Sequence, residues 1–254
     1  MKNIIMVPGL FNRAETFFAP LIKHLNINNK YRVLPWSLPG RERKINETPL
    51  ATLGEMDLAK DLAFLREQMK YKPKAGENII IGHSRGALLA LLLAKESNFS
   101  QIILLCPALC REFKAVTLIN LKNFFFLLKQ PAFWKKPVKR GFRATAKTVL
   151  PAQMPKEEKI ALYNNLVWES GRAIWEIGLK PPLGKDIKLP VYPFGPKIHI
   201  LAGEQDRLIP LEKAKLLGYW LSAEFKSYQA PHYLFCGPDK KIIFEKIKNL
   251  CAEK

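Results

Sequence analysis

Asn78-Ile79-Ile80-Ile81-Gly82-His83-Ser84-Arg85-Gly86-Ala87-Leu88-Leu89-Ala90-Leu91-Leu92-Leu93-Ala94 is the stretch that decides the reading of this chain. A β-branched run leads into Gly-x-Ser-x-Gly, and an apolar Leu/Ala run follows. Strand, sharp turn and helix are the context in which such a pentapeptide holds a nucleophilic serine at its apex. Glycines 82 and 86 carry no Cβ, so strand and helix can approach closely. The helix start beneath Ser84 offers free backbone N–H groups and the positive end of the helix dipole to a developing oxyanion. The competing reading is a Gly/Ser turn that merely joins a strand to a helix. The two flanking runs weigh against it.

Working outward, short apolar runs alternate with helical patterns. Asn3–Val7, Tyr31–Trp36, Asn78–Ile81 and Gln101–Cys106 read as strands. Ala14–Leu25, Thr52–Met69 and Ser84–Glu96 read as the helices between and after them, from apolar spacing of three and four residues. The rhythm breaks after Ala108, and residues 110–190 read as helical and irregular, with prolines at 131, 137, 151, 155, 181 and 182. It resumes with strand Lys197–Ala202, helix Leu211–Leu221, strand Glu224–Tyr228 and helix Lys240–Cys251. Alternation at short intervals argues for parallel βαβ units, and nearly continuous apolar strands argue for a sheet covered on both faces.

The 254 residues suit one domain carrying a large insertion, and a 48% hydrophobic content supports an ordinary core. Cys106, Cys110, Cys236 and Cys251 form no C-x-x-C pair and no cluster with histidine, so reduced thiols and no metal are expected. The apolar start Ile4–Val7 is too short for a signal peptide, and no run of eighteen uncharged apolar residues occurs. A cytoplasmic protein is the expectation. The net charge of +19 is uneven: residues 111–190 hold 16 basic and 6 acidic residues. Such a field favours anionic partners, an anionic membrane surface among them, although a lysine-rich composition alone also accounts for it. No recognised nucleic-acid-binding motif accompanies the charge, so nucleic acid is not an expected partner.

A serine hydroxyl needs a base, and the base needs an orienting acid. Of four histidines, His83 sits in the elbow with its side chain turned from the apex, His24 ends the first helix, and His199 lies inside a strand. His232 alone follows the carboxyl end of a strand, where sites in open α/β sheets form. The acid is expected after the preceding strand, in Gly203-Glu204-Gln205-Asp206; Asp206 is the first choice and Glu204 the second. The oxyanion donors are expected to be the backbone N–H of Arg85 and that of Leu10, with Phe11 as the alternative to Leu10.

Val7-Pro8-Gly9-Leu10, Leu38-Pro39-Gly40, Gly82–Gly86, Gly203-x-x-Asp206-x-x-x-Pro210 and His232 occur in an order that resembles the α/β-hydrolase fold over essentially the whole chain. The resemblance implies a mostly parallel sheet of about six strands with helices on both faces. It implies a core of residues 1–109 and 191–254, a helical cap of residues 110–190, and a Ser84–Asp206–His232 triad that needs no cofactor. Two positions depart from many members: Pro8 stands where His is common, and Ser37 where Asp precedes Leu-Pro-Gly.

Residues 115–134 pair apolar positions with Lys122 and Lys129, and Lys135, Lys136, Lys139 and Arg140 follow. A cap segment over the site is the first reading; docking on an anionic membrane is the second. Phe11, Phe124, Phe125, Trp134, Trp168 and Trp175 are candidates for an apolar pocket wall, and equally for cap core. The expected activity is hydrolysis of a carboxylic ester, with a lipid or thioester substrate within range. An acyltransferase, a thioesterase or a C–C bond hydrolase would use the same triad. A non-catalytic ligand-binding or membrane-surface protein of the same fold is the competing class.

Overall fold

A computed structural model of the chain describes residues 1–26, 30–71, 77–108, 127, 130–178 and 196–253. Strand β1 (Lys2–Val7) is followed by α1 (Ala14–Phe17), α2 (Ala19–Leu25) and β2 (Tyr31–Pro35). A 3-10 turn at Ala51–Glu55 precedes α3 (Leu58–Tyr71), β3 (Asn78–His83), α4 (Arg85–Ala94) and β4 (Gln101–Leu105). The described part of the connection leaving β4 holds a 3-10 turn at Phe133–Lys135, β5 (Pro137–Val138), α5 (Phe142–Thr148), α6 (Lys156–Asn164), β6 (Glu169–Ser170) and α7 (Gly171–Gly178). Then come β7 (Lys197–Gly203), α8 (Leu211–Trp220), β8 (Glu224–Tyr228), a 3-10 turn at Leu234–Cys236 and α9 (Lys240–Ala252).

Six strands form one sheet in the order β2-β1-β3-β4-β7-β8. All of its pairings are parallel. Side chains alternate between faces with period two. Ile5, Val7, Ile80, Ile102, Leu104 and Ile200 pack with Leu62 and Leu65 of α3, α4 and Leu217 of α8. Ile4, Met6, Ile79, Ile81, Ile103 and Leu201 pack on the other face with Leu21 and Leu25 of α2 and Ile243 and Ile247 of α9. Every residue of α4 is buried, as its all-round apolar sequence from Ala87 onward requires. Each fully buried Leu or Ile contributes roughly 1.5–3 kcal/mol, so the two layers hold the sheet rigidly beneath its carboxyl edge.

Two helices expected from the sequence as single pieces are broken. The run Ala14–Leu25 divides at Phe18, because Pro20 has no N–H and starts a new helix at its first turn. Thr52–Met69 divides at Met56-Asp57, where Asp57 Oδ1 accepts the Lys60 N–H at 2.8 Å and starts α3 afresh. The break leaves Gly54 against the Lys135 carbonyl, where an added Cβ would lie only 2.5 Å away. Among the described residues, Cys106, Cys236 and Cys251 are free; Cys110 lies outside them. No described helix is long and apolar enough to cross a membrane.

The strand order reverses between β1 and β3. Crossovers leave in opposite directions there and open a crevice above the strands' carboxyl ends. Val7 pairs with Gly82 in that register. The loop after β1 and the turn after β3 are therefore neighbours by construction.

Candidate active site

Ser84 occupies the turn between β3 and α4 with φ 52° and ψ −117°. Such a backbone costs a non-glycine residue roughly 1–3 kcal/mol and persists only where its surroundings enforce it. They do so here. Ser84 N–H donates to Leu105 O at 2.9 Å, and Ser84 O accepts from both Ala87 and Ala108 N–H at 3.0 Å. The flanking glycines are obligatory: a Cβ on Gly82 would lie 2.4 Å from Gly86 O, and one on Gly86 would lie 2.1 Å from Val7 O. Ser84 is left partly exposed at the apex.

Asp206 leaves the carboxyl end of β7, and His232 follows β8. Asp206 Oδ1 accepts the N–H groups of Leu208 at 2.8 Å and Ile209 at 2.9 Å. Asp206 Oδ2 faces His232 Nδ1 at 2.7 Å, with side chains only 2% and 3% exposed. The carboxylate thus fixes the proton on Nδ1 and leaves Nε2 as the basic nitrogen. Among the described residues Ser84 Oγ makes no hydrogen bond; in substrate-free enzymes the nucleophile–base contact is often long. Glu204, the second choice for the acid, instead accepts from Ser227 and Gln229.

Two neighbours hold this pair. Cys106 lies close enough that its sulfur, an Asp206 oxygen and a His232 nitrogen fall within 4.8 Å of one another. That spacing could suit a metal ion. Burial, then the nearby Asp206, push the Cys106 thiol well above its ordinary pKa. His83 props the loop that carries His232, its Nε2 donating to the His232 carbonyl at 3.0 Å. Its ring stacks on Phe17 at 4.3 Å. Burial, then the His232 ring, hold His83 well below its ordinary pKa, so it is neutral. His24 pairs with Glu245, and His199 with Glu224.

The loop after β1 brings Gly9 against the elbow; a Cβ there would meet Ser84 Cβ at 3.0 Å and His83 Nδ1 at 2.8 Å. Leu10 N–H has no partner among the described residues. Phe11 N–H, the alternative oxyanion donor, is committed to Glu169 Oε2 at 3.1 Å. Of the two, Leu10 is the one free to meet an oxyanion.

Glu169 belongs to a group that sequence reasoning missed. Arg41, Asp61, Arg85 and Glu169 form a cluster with side chains at 0% exposure. Arg41 forks onto both Asp61 oxygens at 2.8 and 3.0 Å and donates Nε–H to Glu169 Oε1 at 2.7 Å. Burial would raise the Glu169 carboxyl, but Arg41 and Arg85 outweigh it and hold it below its ordinary value. One signal was available: Asp61 interrupts the buried stripe Leu58, Leu62, Leu65 of α3, and a buried carboxylate demands a partner.

Of the proposed pocket residues, Phe11 is buried with Leu127, Phe133, Val138 and Ile174, and Leu10 and Trp175 pack against them. Trp134 is 41% exposed and lies against Trp175. Trp168 is placed apart, its Nε1–H on Glu47 O and Lys139 above its ring. Phe124, Phe125, Lys122 and Lys129 lie outside the described residues. Arg140, counted above in a basic face, is buried and donates to Thr148, which removes it from any surface. A separate cavity of about 420 Å³ lies behind Tyr233, lined by Asn12, Phe17, Leu162 and Leu166 but not by Ser84 or His232.

Residues 4–242 match the sequence profile of the Alpha/beta hydrolase family, and the chain belongs to that family. No curated protein matches the sequence. Among solved structures it is similar to an extracellular alpha/beta-hydrolase from a Paenibacillus species, at TM-score 0.72 and 14% identity over 98% of both chains. It is similar to a monoacylglycerol lipase from Paleococcus ferrophilus, at TM-score 0.68 and 16% identity, covering 98% of this chain and 93% of the other. It is also similar to the type II thioesterase BorB of the borrelidin biosynthetic cluster, at TM-score 0.62 and 18% identity, covering 99% and 91%. At these identities the likeness speaks for the fold.

Proposed function

We propose that this protein is a serine hydrolase acting on a carboxylic ester of small to medium size. The observation that carries the reading is the sealed Asp206–His232 pair, 2.7 Å between Oδ2 and Nδ1, set above the same sheet edge as the strained Ser84. His232 Nε2 takes the Ser84 proton as Oγ attacks the substrate carbonyl. Leu10 and Arg85 N–H receive the oxyanion. His232 then gives the proton to the leaving alcohol, and an acyl-enzyme remains. Water, deprotonated by His232, attacks the acyl-enzyme and releases the acid. The scheme calls on no cofactor.

The described residues between 130 and 178 act in this reading as part of a cap over the site. Apolar residues around Leu10 and Phe11, with Phe133 and Trp175, favour an apolar acyl or aromatic group. Esterases, a lipase and a thioesterase among the structural neighbours are consistent with acyl chemistry. Oxygen esters are the first substrate class in this reading and thioesters the second.

The test is a panel of p-nitrophenyl esters and acyl-CoA thioesters of graded chain length, with wild-type protein and Ser84→Ala. Ester turnover confined to the wild type is expected. Equal turnover by both proteins, or none by folded wild type across the panel, would overturn the reading.

A further inference from the structure

The carbonyls of Gly9 and Leu10, and both backbone groups of Phe11, have hydrogen-bond partners. Gly9 O accepts from Arg85 Nη2 at 3.4 Å. Leu10 O accepts from Asn12 Nδ2 at 2.8 Å. Phe11 N–H donates to Glu169 Oε2 at 3.1 Å, and Phe11 O accepts from Val167 N–H at 3.0 Å. Leu10 N–H, which lies between Gly9 O and Leu10 O, has no partner among the described residues.

A trans peptide is planar, and its C=O and N–H point in opposite directions. Whatever holds Gly9 O therefore sets the direction of Leu10 N–H. Resting on the reading of Ser84 as nucleophile, we propose that the Arg85 side chain is a positioning residue: clamped by Asp61 and Glu169, it grips Gly9 O and aims Leu10 N–H at the oxyanion. One residue then serves both halves of the oxyanion hole. Its backbone N–H is one donor, and its guanidinium orients the other.

The clamp is built for position. Arg85 Nη1 lies 3.3 Å from Asp61 Oδ2 and 3.1 Å from Glu169 Oε2, and both carboxylates are also held by Arg41. Two cations face two anions in a sealed space, so the group adds little net field and much rigidity. A lone ammonium could not replace the planar fork, which reaches two carboxylates with one nitrogen and Gly9 O with another. Glu169 also carries the grip into the connection after β4. Val167 and Glu169 hold Phe11 from that side, so the inserted segment and the nucleophile elbow share one clamp. Donation from a cation to Gly9 O further polarises the Gly9–Leu10 amide and strengthens its N–H as a donor.

The test compares wild type, the charge-balanced double variant Arg85→Met/Glu169→Gln, and Arg85→Lys. Each is first titrated with a fluorophosphonate to count working sites, and turnover is expressed per titrated site. A mis-aimed donor lowers turnover and leaves ground-state binding alone, by about 10- to 100-fold for a displacement near 1 Å. The double variant is expected to lose that much kcat with KM unchanged. Its affinity for a trifluoromethyl ketone, which mimics the tetrahedral intermediate, should fall in proportion. If the double variant does not fold, Arg85→Lys carries the test, with a fall in kcat at constant KM. Wild-type kcat per site in a folded variant would overturn the proposal. A wild-type protein that the fluorophosphonate never labels would instead overturn the nucleophile reading beneath it.

Discussion

His232 Nδ1 lies 2.7 Å from Asp206 Oδ2, and Asp206 in turn receives the N–H groups of Leu208 and Ile209 on its other oxygen. The imidazole is thereby fixed in tautomer and orientation before any substrate arrives. Asp206→Asn changes almost no volume, but its amide N–H₂ can face Nδ1 and favour the proton on Nε2, the wrong nitrogen. We expect kcat to fall on the order of 10⁴-fold with the fold intact. Circular dichroism alongside ester turnover checks this; activity within tenfold of wild type would count against the pair's role.

His83 supplies a pH signature of stability. Its folded-state pKa is depressed by burial and by the His232 ring, from an ordinary value of 6.5. The unfolded chain therefore binds the proton more readily, and stability rises with pH across that window. The contribution is fully present above about 6.5 and is lost as pH falls toward the folded value. His83→Gln keeps an N–H donor for the His232 carbonyl but cannot titrate. Chemical denaturation at a series of pH values should show a shallower loss below 6.5 in the variant than in wild type. Parallel curves would refute the assignment.

Gly86→Ala places a methyl 2.1 Å from the Val7 carbonyl, at the first turn of α4 beneath the elbow. Backbone on both sides is fixed, so the helix must move away from β1. Destabilisation of more than about 3 kcal/mol, or no soluble protein at all, is expected. Gly141→Ala is the control, since nothing lies within 4 Å of the added carbon. Its cost should stay within about 1 kcal/mol. Thermal melts of the two variants separate the outcomes, and equal melting temperatures would contradict the packing argument.

The sheet was legible because its signals are local, and the residues proposed for the site were read from their places at its edge. Asn78–Ile81 is a short β-branched run bounded by a glycine and is buried in the sheet, and Gly-His-Ser-Arg-Gly is a turn whose glycines leave little choice. His232 and Asp206 followed from position at strand ends. The helix breaks at Phe18 and Asp57 were less visible, since apolar spacing continues across both while a proline and a capping carboxylate override it. The Arg41–Asp61–Arg85–Glu169 group is assembled from four separate stretches, up to 128 residues apart between Arg41 and Glu169. No spacing rule joins such residues. Arg85 looked like a backbone donor beside the serine, and its side chain was silent until Gly9 O and Glu169 were placed around it.

The most direct measurement is intact-mass analysis after incubation with a fluorophosphonate, with the modified peptide sequenced. One adduct per chain on Ser84 is predicted, absent from Ser84→Ala and formed far more slowly by His232→Ala. Folded wild-type protein left unmodified, or an adduct mapped to another residue, would contradict the central claim that Ser84 is the nucleophile.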